Sequence, residues 1–235
     1  MNVIKKNIPN FITLLNLLCG IISIIFALNN QLDIASALIF CGVILDFFDG
    51  FFARILKVQD DFGVQLDSMA DLITSGLAPS FILFKLFCLK TTFNNLSIFS
   101  IEFPFPLIAL TALIVPIFAA IRLSSFNIDQ NQKNQFIGLP TPMTAIFIAS
   151  LPFINFEYNF YYLCITAILL SLLMVSKIKL FSIKINPDGD MQTKLNIFRI
   201  IMLVSSLILL FIYSLAAIPF IVVLYIILSI INNLI

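Results

Sequence analysis

Four aspartates lie in two neighbouring segments that are otherwise apolar enough to sit in a membrane. Asp46 and Asp49 are three residues apart, and Asp67 and Asp71 are four apart, so each pair would share one face of a helix. A short polar connection would return the chain antiparallel and let the two pairs converge. An ionised carboxylate inside a membrane helix costs roughly 2.5–3.5 kcal/mol on insertion scales. Four of them therefore require compensating positive charge.

The residue types favour divalent metal as that charge. The chain has no histidine, and its four cysteines are scattered singly, so a metal site would be built from oxygen. Carboxylates select hard cations such as Mg²⁺ or Mn²⁺, and two divalent cations would balance four carboxylates and could clamp a transferring phosphoryl group. Gly50 and Gly63 would let a ligand approach the backbone, and Arg54 supplies a cation suited to phosphate.

The acidic cluster could instead be structural, or it could belong to a transporter. Arg54 and Lys57 could each neutralise one carboxylate as simple structural pairs, which leaves at least two carboxylates without a partner. An ion-coupled transporter also carries acidic residues inside the membrane. Neither alternative requires two glycines and an arginine at fixed offsets from the aspartates.

Composition and patterning define the elements that must hold these residues. Of 235 residues, 61% are hydrophobic and 11% are charged, whereas soluble domains carry about 25% charged residues. We therefore predict a single all-α integral membrane domain over 1–235, with a core over 10–184 and two additional C-terminal helices within 196–233. The net charge of +1 indicates no nucleic-acid partner. Windows of about 20 apolar residues give a bundle of about eight spans, at roughly 11–28, 33–56, 66–89, 105–126, 139–155, 159–176, 196–214 and 217–233.

The placement of lysine and arginine predicts the orientation in the cell (cytoplasmic) membrane. With the N-terminus in the cytoplasm and the spans alternating, only Lys85 and Lys90 of the thirteen basic residues fall on the outer side. Basic residues concentrate on the cytoplasmic side of membrane proteins. Both termini are thus expected in the cytoplasm, with the aspartates at the cytoplasmic ends of the second and third spans.

The acidic segment also resembles a known signature. The pattern Asp-x2-Asp-Gly-x2-Ala-Arg-x8-Gly-x3-Asp-x3-Asp is that of the CDP-alcohol phosphotransferases, which are membrane enzymes that move a phosphatidyl-type group from a CDP-linked donor to an alcohol and release CMP. This sequence matches every fixed position of the pattern, at Asp46, Asp49, Gly50, Ala53, Arg54, Gly63, Asp67 and Asp71.

The resemblance implies a role for each matched residue. Asp46, Asp49 and Asp67 would hold a pair of divalent cations, and Asp71 would act as the general base while also contacting a metal. The remaining matched residues would line the pocket for the CDP group of the donor; they are Gly50, Ala53, Arg54 and Gly63.

Four further stretches resemble the phosphatidylserine synthase subgroup of that family. They are 9–20, 121–127, 136–142 and 175–184, although Ser125 stands where the serine enzymes have arginine. This resemblance implies CDP-diacylglycerol as donor, with Thr13 and Asn16 added to its binding residues, and L-serine as acceptor. Glycerol 3-phosphate or inositol phosphate is the alternative acceptor, but each would need more basic residues near Asp71 than the bundle supplies.

The serine carboxylate needs a cation or donors near Asp71. Arg122 ends the fourth predicted span at the level of Asp71, and Asn127 and Lys184 lie in adjoining cytoplasmic segments. These three residues form the predicted serine site. The expected partners are thus CDP-diacylglycerol, L-serine and the lipid bilayer, and a homodimer is a further hypothesis.

Overall fold

The structure is a computed structural model that describes residues 2–90, 97–98, 101–102, 105–128, 136–154, 159–180 and 194–234. Nearly all of these residues are helical. Two pairs of two-residue strands accompany the helices: β1 (Ser97–Ile98) pairs antiparallel with β2 (Ile101–Glu102), and β3 (Phe136–Ile137) pairs antiparallel with β4 (Lys179–Leu180). The all-α membrane class predicted from the sequence is confirmed.

The described helices include α-helices, 3₁₀ segments and one π turn. Four of the described helices continue into a tighter 3₁₀ segment or begin from one, and one is followed by a wider π-helical turn. The α-helices are α1 (Asn2–Leu28), α2 (Leu32–Leu56), α3 (Asp61–Asp71), α4 (Ala78–Lys90), α5 (Ile114–Ile128), α6 (Thr141–Ser150), α7 (Phe160–Val175), α8 (Lys194–Tyr213) and α9 (Ile218–Leu234). The π turn is Leu72–Leu77, and the 3₁₀ segments are Leu107–Leu113, Leu151–Phe153 and Ser214–Ala217.

Several helical stretches could cross a membrane, which makes the chain a multi-pass membrane protein. Within the described residues, five are long and apolar enough: Asn7–Leu28, Leu32–Leu56, Asp61–Leu89, Leu107–Ile128 and Phe198–Asn233. Two shorter apolar helices span Thr141–Phe153 and Phe160–Val175. The 36-residue stretch at the C-terminal end contains the 3₁₀ segment Ser214–Ala217, where Ser214 has a φ of 52° and α8 and α9 pack against each other. The count of eight spans stays a prediction.

The inward face of α1 is a seam of small and polar residues. The buried positions recur at alternating intervals of four and three residues, which keeps them on one side of a helix. Without a hydrophobic force between helices in lipid, small side chains favour close packing there, and Ser23 Oγ donates to Ala35 O of α2 at 2.8 Å. The seam consists of Pro9, Thr13, Asn16, Gly20, Ser23 and Ala27.

A four-residue connection turns the chain between the two helices that carry the aspartates. α2 ends at Leu56 because Lys57 takes a left-handed conformation (φ 53°, ψ 44°), and its N–H bonds back to Ala53 and Arg54 O. α3 starts after Asp60, whose carboxylate accepts from Gly63 N at 2.9 Å and so satisfies one of the free N–H groups of the first turn. α3 and the π turn after it pack on α1, which also lies along α2.

Residues 138–139, just before α6, are fixed by backbone bonds to the end of α7 and to the residues that follow it. Gly138 N donates to Ile178 O, and Leu139 N donates to Leu173 O, both at 2.9 Å. Gly138 has a φ of 76°, a region in which residues with a Cβ are disfavoured. A Cβ at this position would lie 2.4 Å from Met174 O. Only glycine fits there without a shift of the backbone.

We therefore predict that Gly138→Ala lowers thermal stability. The left-handed conformation costs a side-chain-bearing residue about 1–2 kcal/mol, and the contact with Met174 O adds to that cost. Gly50→Ala is the control, since a Cβ at Gly50 meets no described atom within 4 Å. The unfolding midpoint in detergent should fall for Gly138→Ala and should hold for Gly50→Ala. Equal midpoints would contradict the assigned role of Gly138.

Candidate active site

The structure brings the aspartates of α2 and α3 together. One carboxylate oxygen from each of Asp46, Asp49 and Asp67 lies within 4.8 Å of the others. The Asp46 carboxylate also lies beside that of Asp71. Carboxylates that stand on separate helices thus form one cluster, as the spacing of the two pairs predicted.

The carboxylate cluster fits a hard cation. Asp49 and Asp71 are buried, with 4% and 7% of their surface exposed. Asp67 Oδ1 is buried and has no hydrogen-bond partner within the described residues. A buried charged oxygen without a partner is unfavourable, and oxygen donors from three carboxylates suit a divalent metal ion. Asp46, Asp49 and Asp67 could therefore hold a metal ion.

Arg54 does not approach the cluster as a simple structural pair would require. Its Nε donates to Gly50 O at 2.9 Å, one turn earlier on α2, and the side chain is exposed. Within the described residues, the guanidinium of Arg122 has an electrostatic interaction with the cluster, because it attracts Asp71. The hydrogen bond of Arg54 Nε goes to a backbone carbonyl, so it does not support the pairing of Arg54 with a carboxylate.

An open cleft of about 510 Å³ lies beside the cluster. The N-terminal half of α1, the end of α2 and the start of α3 form its walls. Asp49 and Asp67 face it, together with four residues that the sequence assigned to the donor: Thr13, Gly50, Ala53 and Gly63. A group that binds in this cleft would contact carboxylates of both helices.

The two glycines of the cleft differ in what they allow. A Cβ at Gly50 would meet no described atom within 4 Å, so Gly50 leaves open space as predicted. A Cβ at Gly63 would lie 3.1 Å from Asp60 Oδ1 and 3.3 Å from Asn10 Oδ1. Gly63 therefore also serves the close packing of α3 against α1.

Sequence reasoning did not assign Asn10 and Asp60 to the site, although both line the cleft. The Asp60 side chain caps α3 through Gly63 N. An Asp just before a helical segment is a signal for such a cap, so this contact could have been found. Asn10 reaches the cleft only because α1 packs on α3, and no local pattern carries that information.

Two residues of α1 bond directly to the carboxylates. Thr13 Oγ1 donates to Asp49 Oδ2 at 2.6 Å, and Asn16 Nδ2 donates to Asp71 Oδ1 at 3.3 Å. Asn16 is fully buried, whereas Thr13 also faces the cleft. Both were predicted as donor-lipid residues, and that role stays a prediction.

Arg122 of α5 also interacts with Asp71. The side chain is buried, its Nε donates to Leu139 O at 2.8 Å, and its guanidinium lies 5.6 Å from the centre of the Phe126 ring. A second cavity of about 600 Å³ opens next to it. The other polar residues that line this cavity are Ser125, Ser176 and Lys177.

Asn127, another residue of the predicted serine site, is not among the described residues that line this cavity. Asn127 is exposed, and its Nδ2 donates to Ser68 Oγ of α3 at 2.8 Å. It thereby ties the end of α5 to the residue next to Asp67. Lys184 lies outside the described residues. The serine site stays a prediction.

Comparisons with known proteins agree with the resemblance seen in the motif. A family model described as CDP-alcohol phosphatidyltransferase matches residues 6–178. A Bacillus subtilis protein named CDP-diacylglycerol–serine O-phosphatidyltransferase is 40% identical over 172 residues, which cover 73% of this chain and 88% of that protein.

Two further proteins with the same name are similar to this chain. The Helicobacter pylori protein is 32% identical over 232 residues, which cover 95% of this chain and 90% of that protein. The Methanocaldococcus jannaschii protein is 34% identical over 172 residues, which cover 73% of this chain and 72% of that protein. Similarity thus extends over most of the chain in a bacterium and in an archaeon.

The carboxylate cluster predicts a measurable metal affinity. Asp67→Asn removes one charged oxygen from the group of three and should weaken Mn²⁺ binding by about tenfold or more, because ligand charge sets the affinity for hard cations. Asp61→Asn is the matched control, since Asp61 is an exposed acid in the first turn of the same helix. Electron paramagnetic resonance of Mn²⁺ with purified protein measures both. Equal affinities for Asp67→Asn and the unsubstituted protein would exclude Asp67 as a ligand.

Proposed function

Because this chain belongs to the CDP-alcohol phosphatidyltransferase family, we propose that it transfers the phosphatidyl group of CDP-diacylglycerol to the hydroxyl of L-serine and releases CMP. The observation that carries this proposal is the convergence of the Asp46, Asp49 and Asp67 carboxylates beside an open cleft. Acidic oxygens at the mouth of such a cleft suit a substrate that carries a pyrophosphate together with hard cations.

The cluster is proposed to hold two divalent cations, Mg²⁺ or Mn²⁺. Asp46, Asp49 and Asp67 would supply most of the ligands, and Asp71 would supply a further oxygen. When bound, such cations supply positive charge that stabilises the negative oxygens of the donor's phosphates as the bond to CMP breaks. Asp67 Oδ1, which is buried and has no hydrogen-bond partner in the part of the chain that the structure describes, supports this assignment.

The cleft beside the cluster is proposed to bind the CDP group of the donor. Gly50 would let the ligand lie against α2, and Thr13, Ala53 and Gly63 would line the remaining walls. Arg54 is exposed next to Gly50, where its free guanidinium nitrogens would meet a phosphate from the solvent side. Asn16 is assigned to this group from the family resemblance alone. The acyl chains would remain in the lipid.

Asp71 is proposed as the general base of the reaction. Its carboxylate would accept the proton of the serine hydroxyl as that oxygen forms a bond to the phosphorus that carries diacylglycerol. The bond between this phosphorus and the CMP oxygen breaks in the same displacement, and no covalent intermediate with the protein is required. Positioning and electrostatics would supply most of the rate. The attraction between Arg122 and Asp71 supports the placement of a cation beside the proposed base.

The acceptor is proposed to bind on the Arg122 side of Asp71. The Arg122 guanidinium would bind the serine carboxylate, with Asn127 and Lys184 as further contacts. The cavity of about 600 Å³ beside Arg122 supports this placement because it offers space next to the guanidinium. The same chemistry with another alcohol is the alternative, and a panel of acceptors distinguishes the two.

The protein is proposed to lie in the cell membrane with both termini in the cytoplasm. The strong bias of lysine and arginine in the predicted topology supports this orientation, and it places the cluster within reach of water-soluble serine. A single domain over 1–235, with its core over 10–184 and accessory helices within 196–233, is part of the same proposal. Homodimer formation remains a prediction.

The first test follows CMP release from CDP-diacylglycerol with a panel of alcohols. Purified protein with Mg²⁺ or Mn²⁺ should release CMP with L-serine and should not do so with glycerol 3-phosphate or inositol phosphate. Chelation with EDTA should abolish the release, and added metal should restore it. Turnover with another alcohol but not with serine would reassign the acceptor. An absence of CMP release with every alcohol would favour the ion-coupled transporter instead.

A crossed pair of arginine substitutions separates the two substrate sides. Arg122→Ala should raise the KM for serine by about tenfold or more with little change in the KM for CDP-diacylglycerol. Arg54→Ala should do the reverse. Arg122→Lys should recover only part of the affinity, because lysine cannot make a bidentate contact with a carboxylate. An equal loss for both substrates in Arg122→Ala would identify a structural role through the bond to Leu139 O.

A further inference from the structure

The first helix, α1, contacts one aspartate of each pair. Thr13 and Asn16 are three residues apart and face the same side of α1. Thr13 bonds to Asp49 of α2, and Asn16 bonds to Asp71 of α3. One helix that carries no acidic residue in its described span thus holds one carboxylate from each of the two pairs.

The amide of Asn16 has one orientation that suits an ionised Asp71. The side chain has no exposed surface, and its Nδ2 donates to Asp71 Oδ1. The reverse orientation would set the amide oxygen against a carboxylate oxygen, with two acceptors facing each other. Asn16 Oδ1 is buried and lacks a hydrogen-bond partner within the described residues, which is unfavourable for stability. The bond from Asn16 Nδ2 to Asp71 therefore leaves Asn16 Oδ1 without a hydrogen-bond partner among the described residues.

A second layer holds the backbone of Asn16 in place. Thr74 belongs to the π turn that directly follows Asp71, and its Oγ1 donates to Asn16 O at 2.9 Å. The approach is close enough that a Cβ at Gly42 would lie 2.5 Å from Thr74 Cγ2 and 2.9 Å from Asn16 Oδ1. π turns occur often at functional sites. Here the turn returns a hydroxyl to the residue that binds Asp71.

We propose that Asn16 is a positioning residue, which holds the Asp71 carboxylate in the orientation that accepts the acceptor's proton. Thr74 fixes Asn16 through its carbonyl. The inference rests on the proposed role of Asp71 as base. This positioning role is distinct from the donor-binding role that the family resemblance implies for Asn16. It is argued from the burial of the amide and its bond to Asp71.

This role predicts a loss of turnover rather than a loss of substrate affinity. Asn16→Leu keeps the branched shape, removes the donor to Asp71 and also removes the unpaired oxygen. We expect kcat to fall by about tenfold to a hundredfold, the range found when a partner that orients a reactive group is lost. The KM values for CDP-diacylglycerol and serine should each stay within about threefold.

Ser23→Ala is the matched control on the same seam. It removes another buried hydrogen bond between α1 and α2, from Ser23 Oγ to Ala35 O at 2.8 Å, seven residues further along α1 and outside the site. The control should lower the unfolding midpoint and leave kcat within about twofold. A general loosening of α1 would instead lower kcat in both variants.

The role of Asn16 through Asp71 is tested by combining substitutions. When Asn16→Leu is added to Asp71→Asn, the small residual turnover should change by less than about twofold, because residues that act as one unit are not additive. Thr74→Val, which keeps the shape but loses the hydroxyl, should lower kcat more than Thr74→Ser, which keeps the hydroxyl. The Thr74 pair also decides the question if Asn16→Leu does not fold.

The outcomes separate this inference from the proposed function. If the unsubstituted protein releases no CMP with any alcohol, the proposed function fails. If it is active and Asn16→Leu retains its kcat, or raises the KM for CDP-diacylglycerol by about tenfold at unchanged kcat, the positioning role is wrong. A full additive loss in the double variant would also overturn it, as would equal kcat for Thr74→Val and Thr74→Ser.

Discussion

The structure depends on one constraint, which is that several carboxylates must stay together inside an apolar protein. Asp46, Asp49, Asp67 and Asp71 repel one another when ionised, and burial removes the water that would otherwise solvate them. The fold supplies hydrogen-bond donors from α1 and the guanidinium of Arg122. The carboxylates of Asp46, Asp49 and Asp67 lie close enough together that they could hold a metal ion. Helices α1 and α5 thus each place a polar or charged group next to the carboxylates.

Close helix packing makes that compensation geometrically possible. The inward seam of α1 carries small and polar residues, so α2, α3 and the π turn can approach it closely. Bulky apolar side chains such as Phe11, Phe47 and Phe211 stand on the outside of the described structure, where lipid accepts them. The usual arrangement of a soluble protein is therefore reversed at the site, since the polar groups lie inside the helix bundle and the large hydrophobic groups lie on its outer surface.

Asp71 occupies the meeting point of the two sides of the site. Asn16 bonds to it from the α1 side, and Arg122 attracts it from the α5 side. Arg122 is itself held by Leu139 O, whose segment is fixed to the end of α7 through the Gly138 turn.

The amino-acid sequence alone determined the membrane class, the set of carboxylates and the family, because these depend on composition and on spacings of three and four residues within single helices. Tertiary structure decided which groups hold those carboxylates. Thr13 lies 36 residues from Asp49 and Asn16 lies 55 residues from Asp71, and Gly63 is needed partly for the packing of α3 on α1. No local pattern encodes such contacts, since they arise only when separate helices pack together and buried polar atoms must find partners in the protein.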